Sequence, residues 1–363
     1  MAKKLLALVA FLAVMIGTAV AQDAKAVLQA AAKNIGADNI KTIQISGTGM
    51  TAAVGQSYSP TEDWPRFDVT KYTRTIDYDA KSSREELTRR QGSNPPRGGG
   101  GTPLQGEQQQ VAIVSGNYAW NMQANNANPA PAAAEVRQLE IWLTPHGFLK
   151  AAMAGNPTAI TVTVAGPSTP GMTQGGRKAV IGEVNKLIPN KPIRYVVSTH
   201  HHFDHSGGLR TYAAQGATIV THQGNREFYE QVVFSPAPWT LQPDRLAAFY
   251  PYSANNRTPA IETVNQKYVL SDGVRTMDLY PVQGLAHAST MLMVYLPKEK
   301  ILVNADLYTP PAPGAPPPAS NPNIVTLNQN IQRLKLDVAQ HVPIHGGVGT
   351  AADFLKIVGN PSN

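Results

Sequence analysis

The chain has 363 residues, 42% hydrophobic and 15% charged, with a formal charge of +7. That length and apolar content exclude a disordered chain and leave room for one large or two modest domains. Its Lys and Arg are scattered rather than interleaved with aromatics, which excludes a nucleic-acid groove, and its lack of cysteine excludes disulfides, a lipidated cysteine and thiolate ligands.

The first residues form a leader pattern. Lys3 and Lys4 make a short positive region, Leu5 to Val20 is apolar and uncharged, and Ala19-Val20-Ala21 supplies small residues at the cleavage positions. The apolar run is short for a spanning helix, and polar Gln22-Asp23 follows at once. The pattern predicts a signal peptide over residues 1–21, cleavage after Ala21, and a periplasmic or secreted protein with no stable membrane insertion.

Residues 22–155 read as one β-rich domain. A helix is expected from Ala24 to Gly36, then alternating strands at Thr42–Ser46 and Tyr72–Tyr78. Gly92 to Gln110, with four successive glycines at 98–101, reads as a mobile loop. A hairpin is expected around Ser115-Gly116-Asn117, and a helix from Val136 to Ala154.

Residues 156–363 alternate strand and helix signals, which is an α/β pattern. Strands are expected at Ile160–Val164, Ile193–Ser198, Ala217–Thr221, Arg275–Val282, Met291–Leu296, Ile301–Asn304 and Val342–Ile344. Helices are expected at Lys178–Leu187, Gly207–Gln215 and Ile331–Gln340, and a long Pro-rich loop at Thr309–Pro322.

The chemistry concentrates at Thr199-His-His-His-Phe-Asp-His205, an H-x-H-x-D-H pattern after a β-branched strand end. Side chains alternate in an extended segment, so His200 and His202 point the same way and can grip one cation. Asp204 and His205 lie in the following turn, where the chain folds back to present a second ligand pair. Three more candidates stand at strand exits: His287, Asp306 and His345. His201 points away from its neighbours and is expected to pack or to support a ligand. His146, His222 and His341 are expected to be structural.

The H-x-H-x-D-H run followed by His287, Asp306 and His345 resembles the metallo-β-lactamase superfamily. The resemblance implies an αβ/βα sandwich over residues 156–363, preceded by the β-rich domain; the chain departs from it in a shortened first half, so either residues 22–155 supply the missing strands or part of the fold is lost. It implies that His200, His202 and His287 hold one metal and that Asp204, His205 and His345 hold a second, with Asp306 bridging. Two zinc ions are expected, and an oxygen bridge also accommodates Fe or Mn. The bridging Asp resembles glyoxalase II-like thioesterases and lactonases, whereas the common zinc β-lactamases carry Cys at that point and Lys three residues later, where this chain has Asp306 and Thr309.

The expected function is an exported dinuclear hydrolase acting on a small-molecule ester, thioester, lactone or amide through a metal-bridging hydroxide that Asp204 orients. Two other readings follow from the same residues. The short first half is compatible with a non-catalytic metal- or ligand-binding protein, and oxygen-bridged sites also open β-lactam rings.

Overall fold

The structure, a computed structural model, describes residues 24–124, 126–155, 174–235, 246, 259–311, 315 and 318–359. The expected signal peptide and the expected strand Ile160–Val164 lie outside these residues. No helix of the described residues is long and apolar enough to cross a membrane. The chain divides into two compact units: residues 1–48, 71–88 and 109–164, and residues 49–70, 89–108 and 165–363.

Six strands form one sheet in chain order: β1 (Thr42–Ala52), β2 (Arg66–Asp77), β3 (Ser82–Gln91), β4 (Gln108–Ser115), β5 (Tyr118–Gln123) and β6 (Asn126–Pro129). The unit boundaries fall inside β1, β2 and β3 and just after the first residue of β4. The expected hairpin is present, with Ser115 opposite Tyr118 and Val111 opposite Met122. Gly116 sits at φ +53 in its turn, a conformation that costs glycine little. The helix expected near the start is α1 (Ala24–Ile35), and in the first unit Ile76, Tyr78, Val114 and Ala119 form the buried core with Ile141 of helix α2 (Ala134–Trp142).

The single helix expected at 136–154 is two helices. Thr144 is extended at ψ 153 and its hydroxyl accepts from the Gly147 amide, which starts α3 (Pro145–Ala154) afresh. Pro145 suits a first helical position but cannot continue a helix, because it has no N–H to donate.

The second unit stacks two sheets between helices, the expected αβ/βα sandwich. Strands β7 (Tyr195–Val197), β8 (Thr218–His222) and β9 (Ile261–Val264) are parallel neighbours. The other sheet runs β10 (Tyr268–Ser271), β11 (Thr276–Pro281), β12 (Leu292–Leu296), β13 (Ile301–Val303), β14 (Gln340–Val342) and β15 (Gly349–Thr350). Only β13 and β14 pair in parallel there; the other neighbours are antiparallel.

Val220, Val264, Leu279, Leu292 and Val294 fill the space between the two sheets. On the outer face of the larger sheet, Met291, Met293 and Leu302 pack beneath Leu327 and Phe354 of helices Pro322–Leu334 and Ala351–Val358. The first of these helices replaces the helix expected at 331–340. Asn321 caps its start through the amides of Asn323 and Ile324, Pro322 takes the first turn, and Lys335 ends it at φ +53.

Candidate metal centre

The strand that carries the histidine run is tied to both sheets of its unit. The Ser198 amide donates to Val220 O at 2.9 Å and the Leu292 amide donates to Thr199 O at 2.7 Å. Beyond them the strand has ended, yet alternate side chains still diverge. His200 and His202 are wholly buried on one side. His201 turns the other way, with Nδ1 3.1 Å from Thr290 Oγ1 and Nε2 donating to Ser57 O at 2.9 Å. A single helical turn, Phe203–Ser206, then brings Asp204 and His205 back towards His200. The Ser206 hydroxyl donates to His201 O at 3.0 Å and fastens the turn.

The other three residues arrive from the larger sheet. His287 follows β11 in a segment anchored by Asn330, which donates to Gln283 O and accepts from the Gln283 amide. Asp306 sits in the short turn after β13. There the buried Ala305 adopts φ +45, a left-handed conformation that costs a non-glycine residue about 1–2 kcal/mol. Asn304 steadies that turn by donating to Tyr308 O at 2.8 Å. His345 follows β14 and precedes Gly346 at φ +102, where a β-carbon would come within 2.7 Å of Thr309 Cγ2. Thr309 thus packs against Gly346, the residue after His345.

All seven candidates converge. His200, His202, His287 and Asp306 form one group, and Asp204, His205, Asp306 and His345 a second, each with potential ligand atoms within 4.8 Å of one another. Asp306 is common to both. Its Oδ2 lies 3.0 Å from His287 Nε2, 3.1 Å from His205 Nε2 and 3.4 Å from His200 Nε2, while Oδ1 lies 3.4 Å from His345 Nε2. Imidazole nitrogens face each other at 3.3 Å twice, His200 against His287 and His205 against His345. Ring nitrogens this close must share either a proton or a cation.

Charge follows burial and partners. Burial holds His200 well below its ordinary value and, helped by the neighbouring His287, brings His202 down to about 3. Both are therefore neutral, the state in which imidazole ligates. Burial also opposes charge on His205, but hydrogen bonds to Asp204 and Asp306 outweigh it and push the imidazole up to about 9. Burial likewise opposes ionisation of Asp306, yet hydrogen bonds from His200, His205 and His287 hold its carboxyl well below the usual range.

The remaining histidines stand apart from both groups. His222 Nδ1 accepts from the Gly224 amide, and the buried His341 ring packs 4.4 Å from Phe354 and 5.3 Å from Tyr308.

The centre also has a wall that the sequence pattern did not reveal. Residues 49–70 and 89–108 belong to the same unit as the seven residues. Ser57 O accepts from both His201 and His202, each at 2.9 Å. Because His202 donates through Nε2, its Nδ1 is left buried without a partner and available to a cation. Gln56 Nε2 donates to Asp204 Oδ1 at 2.9 Å. In the glycine run read as a mobile loop, a β-carbon at Gly99 would overlap the His202 ring, and one at Gly98 would lie 3.1 Å from His287 Cα. Four glycines in a row were the only sign in the sequence that backbone must approach something closely.

Residues 170–339 match the family model described as the metallo-beta-lactamase superfamily. No curated protein matches the chain. Among solved structures, a metallo-beta-lactamase from Pontibacter korlensis is 13% identical, covering 77% of this chain and 94% of that one with a TM-score of 0.37. The BLEG-1 B3 metallo-beta-lactamase is 18% identical over 51% of this chain and 84% of its own, with a TM-score of 0.35. The DIM-1 metallo-beta-lactamase is 13% identical over 76% and 92%, with a TM-score of 0.36.

Proposed function

We propose that this chain, which belongs to the metallo-β-lactamase superfamily through residues 170–339, is a metal-dependent hydrolase that cleaves an ester, thioester, lactone or amide bond. The observation that carries the reading is the pair of four-residue groups sharing Asp306. Their chemistry fits divalent cations. The donors are imidazole and carboxylate only, the facing nitrogens stand 3.3 Å apart, and His202 Nδ1 and Asp306 Oδ1 are buried without hydrogen-bond partners. Zinc suits this set best, and the oxygen of Asp306 also suits iron or manganese.

Two cations held by these residues would supply a water of lowered pKa and would polarise the scissile carbonyl. The chain's own residues do the rest. Asp306 presents an oxygen to both groups. His200 and His202 form a closed floor, while the His345 side chain is 35% exposed, so a substrate reaches the centre from the side of the second group. Asp204 also stands on that side, placed to orient the attacking water, take its proton and pass it to the leaving group.

The purified protein is expected to bind about two divalent ions per chain and to turn over at least one of a generic ester, thioester, lactone and cephalosporin panel. Activity should vanish on chelation and return with zinc or manganese. No bound metal after reconstitution would sink the reading; metal without turnover on any substrate would favour a binding protein. We also propose that residues 1–21 direct export. Intact-mass measurement of exported protein should show a chain beginning at Gln22, and a retained Met1 would refute this.

A further inference from the structure

Asp204 has two oxygens in different surroundings. Oδ2 lies 3.3 Å from His205 Nε2 and 3.2 Å from His345 Nε2, inside the second ligand group. Oδ1 accepts from the Gln56 side chain at 2.9 Å. The Gln56 amide has a defined orientation, because its Oε1 accepts from the Gly100 amide at 3.2 Å. Flipping it would set oxygen against carboxylate and NH2 against N–H, losing both bonds. The turn that carries Gln56 is held by its own amide, which donates to Ala53 O, while the Phe203 amide donates to Gly55 O at 3.1 Å. Gly100 fits tightly over this turn: a β-carbon there would lie 2.7 Å from Ala53 Cβ and 3.3 Å from Gln56 Cβ.

A carboxylate can rotate and offer either oxygen, or both, to a cation. Pinning Oδ1 with a neutral donor leaves Oδ2 as the ligand, keeps the second lone pair of Oδ1 for the attacking water, and adds no charge to the centre. We propose that Gln56 is a positioning residue for the second metal: it fixes Asp204 as a one-oxygen ligand and ties that carboxylate to the glycine segment over the site. This rests on the metal-dependent reading above and goes beyond it, since Gln56 lies about 150 residues before the ligand it orients.

The test is cobalt titration of the metal-free full-length protein, followed by ligand-field absorption, for wild type, Gln56→Met and Gln56→Ala. Methionine keeps the length of the side chain without a donor, and alanine removes the side chain. Groups that hold a metal's ligands in place typically contribute tenfold to a hundredfold in affinity, so one of the two cobalt ions should bind about 10- to 100-fold more weakly in both variants. The other ion should bind within about threefold of wild type. A general loss of structure would instead weaken both ions together and lower the melting temperature. If both cobalt ions bind the variants as tightly as wild type, or weaken in parallel, the positioning role is overturned while the metal centre stands. If wild type takes up no cobalt at all, the metal-dependent reading falls and this inference with it.

Discussion

The residues of the centre differ in what their loss would cost, and the two carboxylates show why. Asp306 is 14% exposed, lies among four imidazoles and is common to both groups, so replacing it removes the link between them. Asp204 is 20% exposed and can exchange protons with a substrate on the open side. Asp204→Asn keeps the shape and one oxygen but removes the charge and the proton acceptor. With metal in excess, turnover should fall by about 10²–10⁴, the usual contribution of a positioned acid–base group. Equal rates for variant and wild type would exclude the proposed role. His201 is a poor neutral control for that experiment. It belongs to neither group, as strand alternation predicted, but it is buried and shares the Ser57 carbonyl with His202. Changing it disturbs the group that orients a candidate ligand.

Among the elements, the glycine segment is the one whose role differs most from its composition. A Gly- and Pro-rich stretch reads as an unconstrained loop, because nothing in its pattern points to a partner. Three of its four glycines, Gly98, Gly100 and Gly101, have positive φ, so substitution there mixes backbone strain with crowding. Gly99 separates the two effects: its backbone is not left-handed, yet a β-carbon would overlap the His202 ring. Gly99→Ala should therefore force that imidazole to shift and weaken binding of one cation by about tenfold or more. Gly49→Ala, where a β-carbon meets nothing within 4 Å, should leave binding unchanged. Metal titrations of both variants check this, and a Gly99→Ala protein with wild-type affinity would show that the segment does not bear on His202.

For the whole molecule, the compact unit that holds the seven residues is not one continuous piece of chain. It takes in residues 49–70 and 89–108, hence Gln56, Ser57 and the glycine run, as well as 165–363. A fragment of residues 156–363 would keep all seven candidate ligands and lose every group that holds His202 and Asp204 from that side. It should bind metal far more weakly than residues 22–363 and melt at a lower temperature, which elemental analysis and calorimetry would reveal. A fragment with two tightly held metals would show that the N-terminal segments are dispensable.

The sequence by itself picked out the seven residues that gather at the centre. Ligand choice is a matter of residue type, strand alternation separates His200 and His202 from His201, and strand exits carry His287, Asp306 and His345. It also determined the α/β layering, since hydrophobic periodicity is local. The structure alone decided what surrounds those ligands. Ser57 and Gln56 reach His202 and Asp204 across separations of about 150 residues, and no local pattern encodes so distant a hydrogen bond. The helix ends at Thr144 and Lys335 were likewise missed, because one proline and one left-handed residue outweigh the periodicity that ran through them. Periodicity specifies which face of an element is buried; which other segment covers that face is set by packing of the whole chain.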